Sequence, residues 1–393
     1  MKNVKLGVIC NIEIGRTPSR NQPKYWGNGY SWLSIADMKN FKFLSETKEQ
    51  VTDLAIRECN MKLVPQGTLL FSFKLSVGKV GIASKDLFTN EAIAALKIKS
   101  EKEVYQPFLY HALGSLNFDG KGDRAVKGIT LNKAKLRELL IPLPPLPAQK
   151  RIAEILDKAD ALRQKNKQLL ATYDELLQST FLDMFGDPVT NPKGWEIKKL
   201  KEFYIDQKNG TKCGPFGSAL KKNEYKESGV PVWTMDNIKP NKFIEGENLF
   251  ISEEKYNDLR GYKTQKGDII ISRAGTVGKM CIIPFTVAAI ISTNLIRLRL
   301  NSKKLLPIYF TTIMSNWGPK LARLKTGGDN SFTHMNTGVL NEIELPIPPI
   351  ALQNQFAQIV ENIEAQKTLV KQSLHESEDL FNGLLQKAFG GEL

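Results

Sequence analysis

Two glycine–lysine pairs are the first residues in this sequence whose types could do chemistry. They stand in "SVGKVGI", residues 76–82, and in "TVGKMCI", residues 276–282. A nucleotide-binding Walker loop needs four residues between its first glycine and the Gly-Lys pair, followed by Ser or Thr. The second copy has two intervening residues and then methionine, and in the first copy Leu75 replaces the leading glycine. Because residues typical of strands follow both pairs, the sequence predicts tight turns between strands rather than phosphate cradles.

Cationic side chains surround these turns and recur in other polar stretches. A lysine at a turn rim can contact DNA phosphates or guanine edges, although a solvated lysine at a hairpin tip is a serious alternative for Lys79 and Lys279. Cations alternate with small or aromatic residues in "GRTPSRNQPKYWGNGYSW" and "NGTKCGPFGSALKK". We interpret "GKGDRAVKG" and "ARLKTGGDNSF" as polar loops. The candidate DNA contacts are Arg16, Arg20, Lys24, Trp32, Lys74, Lys79, Arg124, Lys127, Lys212, Ser218, Lys221, Arg273, Thr276, Lys279, Arg323, Lys325 and Asn330.

Catalytic motifs are missing from the sequence. It contains no HExxH, no GxSxG, no Walker pair and no proline-rich tetrapeptide of an amino-methyltransferase. The triplet from Asp206 to Lys208 resembles part of a nuclease site, but such triplets arise by chance in lysine-rich chains. The histidines are far apart and the four cysteines are scattered, so we predict free thiols and neither a metal site nor a catalytic residue. The sequence shows neither a membrane-length apolar run nor a signal peptide, and we expect the protein in the cytoplasm.

The positive charge of the chain is unevenly distributed. The 393 residues carry 55 lysines and arginines against 41 aspartates and glutamates, a net charge of +14. Residues 1–143 have 22 against 13 (net +9) and residues 187–347 have 24 against 16 (net +8). Residues 144–186 have 6 against 6, and residues 348–393 have 3 against 6. Two basic blocks indicate a polyanionic partner, most often nucleic acid, and an ordinary basic surface is the alternative.

The two basic blocks are copies of one another. Gly67 and Lys79 match Gly267 and Lys279 at an offset of 200, and "IPLPPLPAQ" at residues 141–149 matches "LPIPPIALQ" at an offset of 204. Strand-like runs such as "GTLLFSF" and "GDIIISR" alternate with turns and one short helix in each block. We therefore predict an α+β fold with two tandem mixed α/β domains, 1–143 and 187–347, each followed by a helical segment, 144–186 and 348–393.

These helical segments have apolar residues at the 3,4 spacing of a heptad repeat. Such a stripe requires a partner helix, which we expect to be the helix of the other copy, since one small domain would not cover it. The alternative is that each helix caps its own domain. Asn166, a polar residue within the stripe, would fix the register of pairing. The predicted helix-pairing and subunit-docking residues are Ile152, Ile155, Ala159, Leu162, Leu169, Tyr173, Leu176, Phe356, Ile359, Ile363, Val370, Leu380 and Leu384.

Over essentially its whole length the chain resembles the specificity subunit of type I restriction–modification systems. The resemblance depends on the proline–glutamine–helix junction that occurs twice, in "IPLPPLPAQKRIAEILDKADAL" and "LPIPPIALQNQFAQIVENIEA". It also depends on "GPFGSALKKNEYKESGVPVWTMDNI" and on the "GDIIISRAGTVGK" hairpin. The first copy departs from that hairpin pattern, since it lacks both the acid after Gly67 and the arginine that would match Arg273, and this weakens the assignment of a base-reading role to Lys74.

The resemblance implies two target-recognition domains that each read one half of a bipartite, asymmetric double-stranded DNA target. It also implies that the two helices pair as an antiparallel coiled coil with pseudo-two-fold symmetry. Two methyltransferase (M) subunits and the restriction and translocase (R) subunits would bind the chain, and S-adenosylmethionine, ATP and Mg²⁺ would belong to those partners. The chain itself would be non-catalytic. A coiled-coil scaffold with non-specific nucleic-acid-binding lobes and a stand-alone nuclease or modification enzyme are the alternatives.

Overall fold

A computed structural model describes residues 1–39, 42–116, 123–125, 128–246, 249–273, 278–326 and 335–393 of the chain. At residues 123–125, 128–130, 218, 319 and 321–326 the description is limited to the backbone. The chain divides into two compact units. Unit 1 comprises Met1–Gln168 and Lys371–Leu393, and unit 2 comprises Leu169–Val370. Each unit therefore contains one mixed α/β domain and part of both long helices.

The strands are short and lie mostly in the two basic blocks. Their bounds are β1 Lys2–Lys5, β2 Cys10–Ile14, β3 Trp26–Leu33, β4 Phe43–Leu44, β5 Glu49–Val51, β6 Leu69–Ser72, β7 Val80–Ala83, β8 Phe88–Thr89, β9 Ile93–Ile98, β10 Asp123–Ala125, β11 Gly128–Thr130, β12 Leu140–Leu143, β13 Glu196–Lys199, β14 Thr211–Cys213, β15 Val230–Trp233, β16 Ile238–Lys239, β17 Lys242–Phe243, β18 Leu249–Ile251, β19 Ile269–Ser272, β20 Met280–Ile282, β21 Ile290–Ile291, β22 Leu295–Leu298 and β23 Glu344–Ile347.

The helices include two that are much longer than the rest. Their bounds are α1 Leu6–Ile9, α2 Asp53–Glu58, α3 Gln106–Gly114, α4 Lys133–Arg137, α5 Leu146–Phe185, α6 Glu253–Asp258, α7 Pro307–Thr326, α8 Thr337–Asn341 and α9 Ile350–Gly390. Proline pairs at 144–145 and 348–349 precede α5 and α9, and these rings keep the helices from extending further toward the N-terminus. Gly186, with a φ of +78°, ends α5. The helix predicted in each block is confirmed as α3 in the first block and α7 in the second.

The domain of unit 1 is built on a five-stranded sheet of order β2-β9-β6-β7-β4 and a three-stranded sheet of order β5-β3-β8. A separate antiparallel pair, β1 with β12, joins the beginning of the chain to the segment that precedes α5. The larger core contains fully buried aromatic residues from the sheet and from α3, among them Phe71 and Phe108. The buried strands β6 and β9 are rich in apolar residues because both their faces are covered.

The domain of unit 2 repeats this topology. Its four-stranded sheet has the order β14-β22-β19-β20, which corresponds strand by strand to β2-β9-β6-β7, and β18-β15-β21 corresponds to β5-β3-β8. The parallel pairing of β3 with β8 recurs between β15 and β21. The pair β13–β23 corresponds to β1–β12. The internal duplication predicted from the sequence is therefore also a duplication of the fold.

The two glycine–lysine turns are confirmed as hairpin connections between antiparallel strands, β6–β7 and β19–β20. Gly78 and Gly278 have φ of +98° and +86°, a conformation that favours glycine. In both hairpins the serine that ends the first strand accepts a hydrogen bond at its carbonyl from this glycine, at 3.0 Å. The same backbone device therefore holds both turns.

A buried glutamine in the first turn of each long helix attaches that helix to its domain. Gln149 is 1% exposed, and its Oε1 accepts the backbone N–H of Tyr105 at 2.8 Å. Its Nε2 donates to the carbonyls of Glu103 and Pro144, both at 2.8 Å. Since every polar atom of the amide is bonded, burial of this side chain carries little penalty. Gln353 makes the corresponding contacts in unit 2, with Lys304, Leu306 and Pro348.

Within each unit, segments of α5 and α9 pack against each other. In unit 1 the guanidinium carbon of Arg163 lies 4.2 Å from the ring centre of Phe381. Asn166, three residues later on α5, donates to Ser377 at 3.4 Å and to Ser373 at 3.1 Å. Because rising numbers on α5 meet falling numbers on α9, the two segments run antiparallel. In unit 2 Asp174 pairs with Lys367 at 2.8 Å and Phe181 packs on Phe356, which gives the same direction.

The buried stripe of α5 differs from the predicted one at every second position. Ile152, Ala159 and Asn166 are buried, and Tyr173 and Ile155 are half-buried. The predicted Leu162, Leu169 and Leu176 are instead exposed, at 46%, 37% and 44%. The buried phase runs through the next residue in each case, at positions 156, 163, 170 and 177. The prediction was wrong there because Arg163 interrupts the apolar pattern of the correct phase, whereas leucines continue the incorrect one.

The second long helix needs a smaller correction of the same kind. Phe356, Ile363 and Val370 are buried, while Ile359 and Leu384 are half-buried. Leu380, however, is 51% exposed. Its neighbour Phe381 is 7% exposed and occupies the buried position, where its ring lies against His111 and the guanidinium of Arg163.

Candidate nucleic-acid interface

In unit 1 two of the three predicted cations of the first polar stretch, Arg20 and Lys24, are ion-paired. The guanidinium of Arg20 stacks on Trp26, 4.0 Å from its ring centre, and Nη2 donates to Glu49 at 2.9 Å. This hydrogen bond raises the pKa of Arg20 and lowers the pKa of Glu49. Lys24 pairs with Glu58 at 3.3 Å. Any polyanion that contacts these cations must compete with the carboxylates already bound to them.

Two other predicted residues of that stretch differ in exposure, since Arg16 is exposed and Trp32 is buried. Arg16 donates through Nη1 to the carbonyl of Cys59 at 2.9 Å. Trp32 is 2% exposed, and its indole N–H donates to the carbonyl of Arg16 at 3.0 Å. Its ring lies 5.2 Å from the guanidinium carbon of Arg20. Trp32 therefore supports the cationic surface from below and is not itself on that surface.

The hairpin of unit 1 presents a short loop between β6 and β7. Lys79, at its base, is half-buried, and its Nζ donates to the carbonyl of Ile35 at 3.3 Å. Lys74 is also half-buried and lies 5.6 Å from the ring centre of Phe73. Leu75, between them in the loop, is 56% exposed. The two lysines therefore lie along the domain surface, and an apolar side chain extends from the tip.

A cleft in unit 1 brings further cations beside this hairpin. It is lined by Lys39 and Lys79 of the domain and by Arg163 and Lys167 of α5. Arg163 pairs with Asp160 at 2.5 Å, and Lys167 pairs with Glu378 at 3.3 Å. The sequence interpretation did not select the helix cations because it treated α5 as a pairing surface. Their i, i+4 spacing, which places both on one face, was the available signal.

The floor of that cleft contains a buried histidine. His111 is 3% exposed, and its Nε2 lies 2.7 Å from Oδ1 of Asp157, which also accepts Lys42 Nζ at 2.6 Å. Burial lowers the pKa of His111, and the hydrogen bond to Asp157 opposes this shift without overcoming it. With a neutral imidazole, one carboxylate and one ammonium, the cluster joins α3 and the β4 region to α5. Its geometry indicates a structural role.

In unit 2 the most distinctive predicted residue is Arg273, which directly follows β19. Its guanidinium carbon lies 4.5 Å from the ring centre of Phe216, and that ring is 53% exposed. Nη1 is buried and has no hydrogen-bond partner among the described residues. A guanidinium that packs on an exposed aromatic ring is a candidate for bidentate recognition of a guanine edge. Phe216 was not selected from the sequence, although its position between Gly214-Pro215 and Gly217 indicates an exposed aromatic side chain.

The other predicted cations of unit 2 lie at separate places on the domain. Lys212, in β14, is half-buried and lies 5.3 Å from the ring centre of Tyr262. Lys221 is exposed, and its backbone N–H donates to Glu224 at 2.6 Å. Lys279, at the base of the second hairpin, is half-buried. These residues remain candidate DNA contacts.

Several predictions fall where side chains or whole residues are outside the description. Lys127, Thr276 and Asn330 lie outside the described residues, and for Ser218 only the backbone is described. The prediction of polar loops was wrong at two places. Arg124 belongs to β10, which forms a hairpin with β11, and Arg323 and Lys325 belong to the last turns of α7. Residues that favour a helix extend α7 to Thr326, directly before the Gly-Gly pair at 327–328. The helix therefore includes the first five residues of the stretch that we predicted to be a loop.

Two further classes of site were sought in the described parts of the chain. Within those ranges, no group of three or more His, Cys, Asp or Glu side chains could hold a metal ion. No described helix combines the length and apolar character needed to cross a membrane.

Comparison with known proteins identifies one family. A family model described as "Type I restriction modification DNA specificity domain" matches residues 1–172 and 192–378. The MjaIX specificity subunit of Methanocaldococcus jannaschii is 25% identical over 310 residues, 73% of this chain and 69% of that protein. The EcoBI specificity subunit of Escherichia coli is 22% identical over 364 residues, 84% of this chain and 76% of that protein.

The solved structures support the same fold. A crystal structure of the S subunit of a type I restriction–modification system from M. genitalium matches with a TM-score of 0.58 at 17% identity. The match covers 99% of this chain and 96% of that one. A structure from work on complex assembly and conformational transition of the type I system matches with a TM-score of 0.56 at 18% identity, over 100% and 98% of the two chains. The mixed α+β fold with long helices is thus shared along the entire chain.

Proposed function

Since this chain belongs to the family of type I restriction–modification DNA specificity proteins, we propose that it selects a bipartite double-stranded DNA target, with one half-site read by each basic domain. The observation that carries the proposal is the duplication: two domains of the same topology, each net positive, with different residues on their surfaces. Repeated recognition folds are suited to two half-sites. Different surface residues, such as Arg273 in one copy where the other has Lys74 nearby, make those half-sites unequal.

We propose that the chain contributes DNA binding and positioning but no chemistry. The proposed partners are two methyltransferase subunits and, for restriction, the motor and nuclease subunits. S-adenosylmethionine, ATP and Mg²⁺ would bind in those partners. The described residues of this chain support this division of labour, because their cations are arranged around hairpins and clefts, and the perturbed titratable groups among them are explained by burial or ion pairing.

The long helices are proposed to form a continuous antiparallel coiled coil that separates the two recognition domains. The contacts of Asn166 with Ser373 and of Asp174 with Lys367 support this pairing. An antiparallel pair of duplicated helices would have pseudo-two-fold symmetry. The length of the coiled coil would then set the number of base pairs between the half-sites.

The exposed leucines of α5 are proposed to dock a methyltransferase subunit. Leu162, Leu169 and Leu176 recur every seven residues, so they lie along one face of the helix. An exposed row of leucines outside the buried stripe is costly unless a partner covers it. Replacement of all three by glutamine should prevent co-purification of the methyltransferase subunit, whereas replacement of the exposed Leu63 in the first domain should not. Co-purification of the triple variant at the wild-type level would contradict this docking site.

A binding experiment tests the central proposal. The full-length chain is expressed with its methyltransferase subunit, and the methylated sequence is mapped across the host genome. Duplex containing that sequence should bind the purified complex at least about a thousandfold more tightly than random duplex at physiological salt. Equal binding of the two duplexes would instead favour a scaffold that binds nucleic acid without sequence preference. Methyl transfer by the isolated chain would favour a stand-alone enzyme.

A second experiment tests the spacer. One heptad is inserted after Gln168 in α5 and another after Val370 in α9, so that the two helices lengthen together. Seven residues add about 10 Å of helix, close to three base pairs of DNA. The mapped target should keep both half-sites and gain about three base pairs between them. A changed half-site with unchanged spacing would contradict the spacer role.

A further inference from the structure

The backbone of Leu75 has an unusual conformation at the tip of the first hairpin. Its φ is +63°, in the left-handed region, where the Cβ of a branched side chain lies too close to the backbone. The other described non-glycine residues with positive φ are Asn60, Asn191 and Asn241, and asparagine tolerates this region. In the second copy the matching residue is Gly275. A leucine is therefore present where the backbone conformation favours glycine.

The hairpin does not need the leucine side chain for its shape. Ser72, fully buried at the base of the loop, accepts the backbone N–H of Lys79 at its Oγ, at 2.9 Å, and donates that hydroxyl to the carbonyl of Ser76. The N–H of Gly78 donates to the carbonyl of Ser72 at 3.0 Å, and the N–H of Leu131 donates to Phe73 at 2.8 Å. These bonds hold the loop from its base. The conformation of the turn is therefore set by other residues, and it does not require a leucine at position 75.

Among the described residues, the side chain of Leu75 belongs to no buried core cluster. It is 56% exposed and is absent from the buried clusters, whereas Val77 of the same loop packs against the core. One exposed leucine is ordinary in itself. An exposed leucine in a left-handed conformation is unusual, because neither the hydrogen bonds of the turn nor the described core contacts offset the strain of its backbone. Strain of this kind is typical of residues that contact a ligand.

The hairpin around Leu75 has the shape and the charge expected of an element that binds duplex DNA. A two-stranded β-ribbon fits the major groove, where the 5-methyl group of thymine is the apolar group on the base edges. Lys74 directly precedes Leu75, Lys79 lies at the base of the hairpin, and the cations of the neighbouring cleft include Lys39 and Arg163. We propose that Leu75 contacts the 5-methyl group of a thymine in the half-site read by the first domain. This inference rests on the proposed function, in which that domain reads one half-site.

The test combines a change in the protein with a change in the DNA. Replacement of a thymine by uracil removes the methyl group alone, so the complex of the full-length chain with its methyltransferase is titrated with both duplexes. The wild-type complex should lose about fourfold in affinity at one thymine of the first half-site, the loss expected when one methyl group is no longer buried. Leu75→Gly should bind the thymine duplex about fourfold more weakly and no longer distinguish uracil from thymine there.

Two control variants separate recognition from folding. Leu75→Gly relieves the backbone strain, so its thermal stability should equal or exceed that of the wild type, while its methyl sensitivity is lost. Leu75→Asn, which tolerates the left-handed region, should lose the same sensitivity and also fold. Leu63→Ala, at another exposed leucine of the same domain, should keep it.

The experiment distinguishes a failure of the proposed function from a failure of the proposed contact between Leu75 and thymine. If the wild type binds the mapped target no better than random duplex, the proposed function itself is wrong. The inference about Leu75 is overturned if the wild type binds its target specifically but tolerates every uracil in the first half-site, or if that half-site contains no A·T pair. It is equally overturned if Leu75→Gly weakens the thymine and uracil duplexes by the same factor.

Discussion

The side-chain amide of Asn166 on α5 donates a hydrogen bond to the hydroxyl of Ser373 on α9 at 3.1 Å, within the buried stripe of unit 1. Ser377, one turn further along α9, lies 3.4 Å from the same nitrogen. Asn166 is 8% exposed and Ser377 is 3% exposed, so the polar groups are shielded from water. A buried polar contact between two packed helix faces disfavours other registers, in which the amide would lack a partner.

Removal of this amide should lower stability. Asn166→Ala loses the contacts with both serines, and we expect the free energy of unfolding to fall by about 1–2 kcal/mol. Gln168→Ala, at an exposed position of the same helix, is the matched control and should change it by less than about 0.5 kcal/mol. Urea denaturation followed by circular dichroism measures both. Equal midpoints for the two variants would show that the amide does not stabilise the helix contact.

The glutamine at the start of each long helix should be more sensitive still. Gln149→Leu leaves two carbonyls and one backbone N–H without their partner, and we expect a loss of about 3 kcal/mol. Gln353→Leu should have a similar effect on unit 2, because its amide makes the corresponding contacts. Unfolding monitored by hydrogen exchange reports each unit separately. A wild-type exchange profile for either variant would contradict the role of its amide in attaching the helix.

Arg273 should determine selectivity in one half-site. Arg273→Lys keeps the positive charge but loses the planar donors and the stacking on Phe216, so we expect a tenfold to hundredfold loss of discrimination at one base pair. Phe216→Ala should weaken discrimination at the same base pair, since it removes the surface that orients the guanidinium. The measurement is methylation of a randomised target library by the assembled complex. Lys266→Ala, an exposed cation of the same domain, should leave the preferred sequence unchanged, and a profile for Arg273→Lys identical to wild type would exclude the role.

Stability should fall in mild acid because of His111. Burial lowers its pKa below the value of about 6.5 in an unfolded chain, and Asp157, Asp160 and Lys42 are the charged groups that face it. The unfolded state therefore binds a proton before the folded state does. The contribution of the buried, neutral His111 to the free energy of unfolding is fully present above pH 6.5. It decreases as the pH falls below that value, by up to about 1.4 kcal/mol per pH unit. His111→Gln should flatten this dependence between pH 7.5 and 5.5, whereas the exposed His375→Gln should not; identical slopes for all three proteins would contradict the assignment.

The duplicated architecture was accessible from the sequence because it depends on local patterns. Strand-forming runs, glycines that need positive φ and prolines that cannot continue a helix are properties of short segments, and they predicted β6, β19, the hairpins and both long helices. The repeat made each assignment more secure, since every pattern occurs twice. The clustering of positive charge in the two blocks likewise required only counting.

What faces a partner, and what faces the interior, depended on tertiary contacts. Leu162 and Arg163 are neighbours, and the sequence favours the leucine for the buried stripe. The arginine takes the place in that stripe because it packs on the ring of Phe381, which lies more than 200 residues away in the chain. In the same way Glu49 neutralises Arg20, and the fold of the first domain covers Trp32. Periodicity determines that a helix has an apolar side, but the choice between adjacent phases and the pairing of charges are set by residues that meet only after folding.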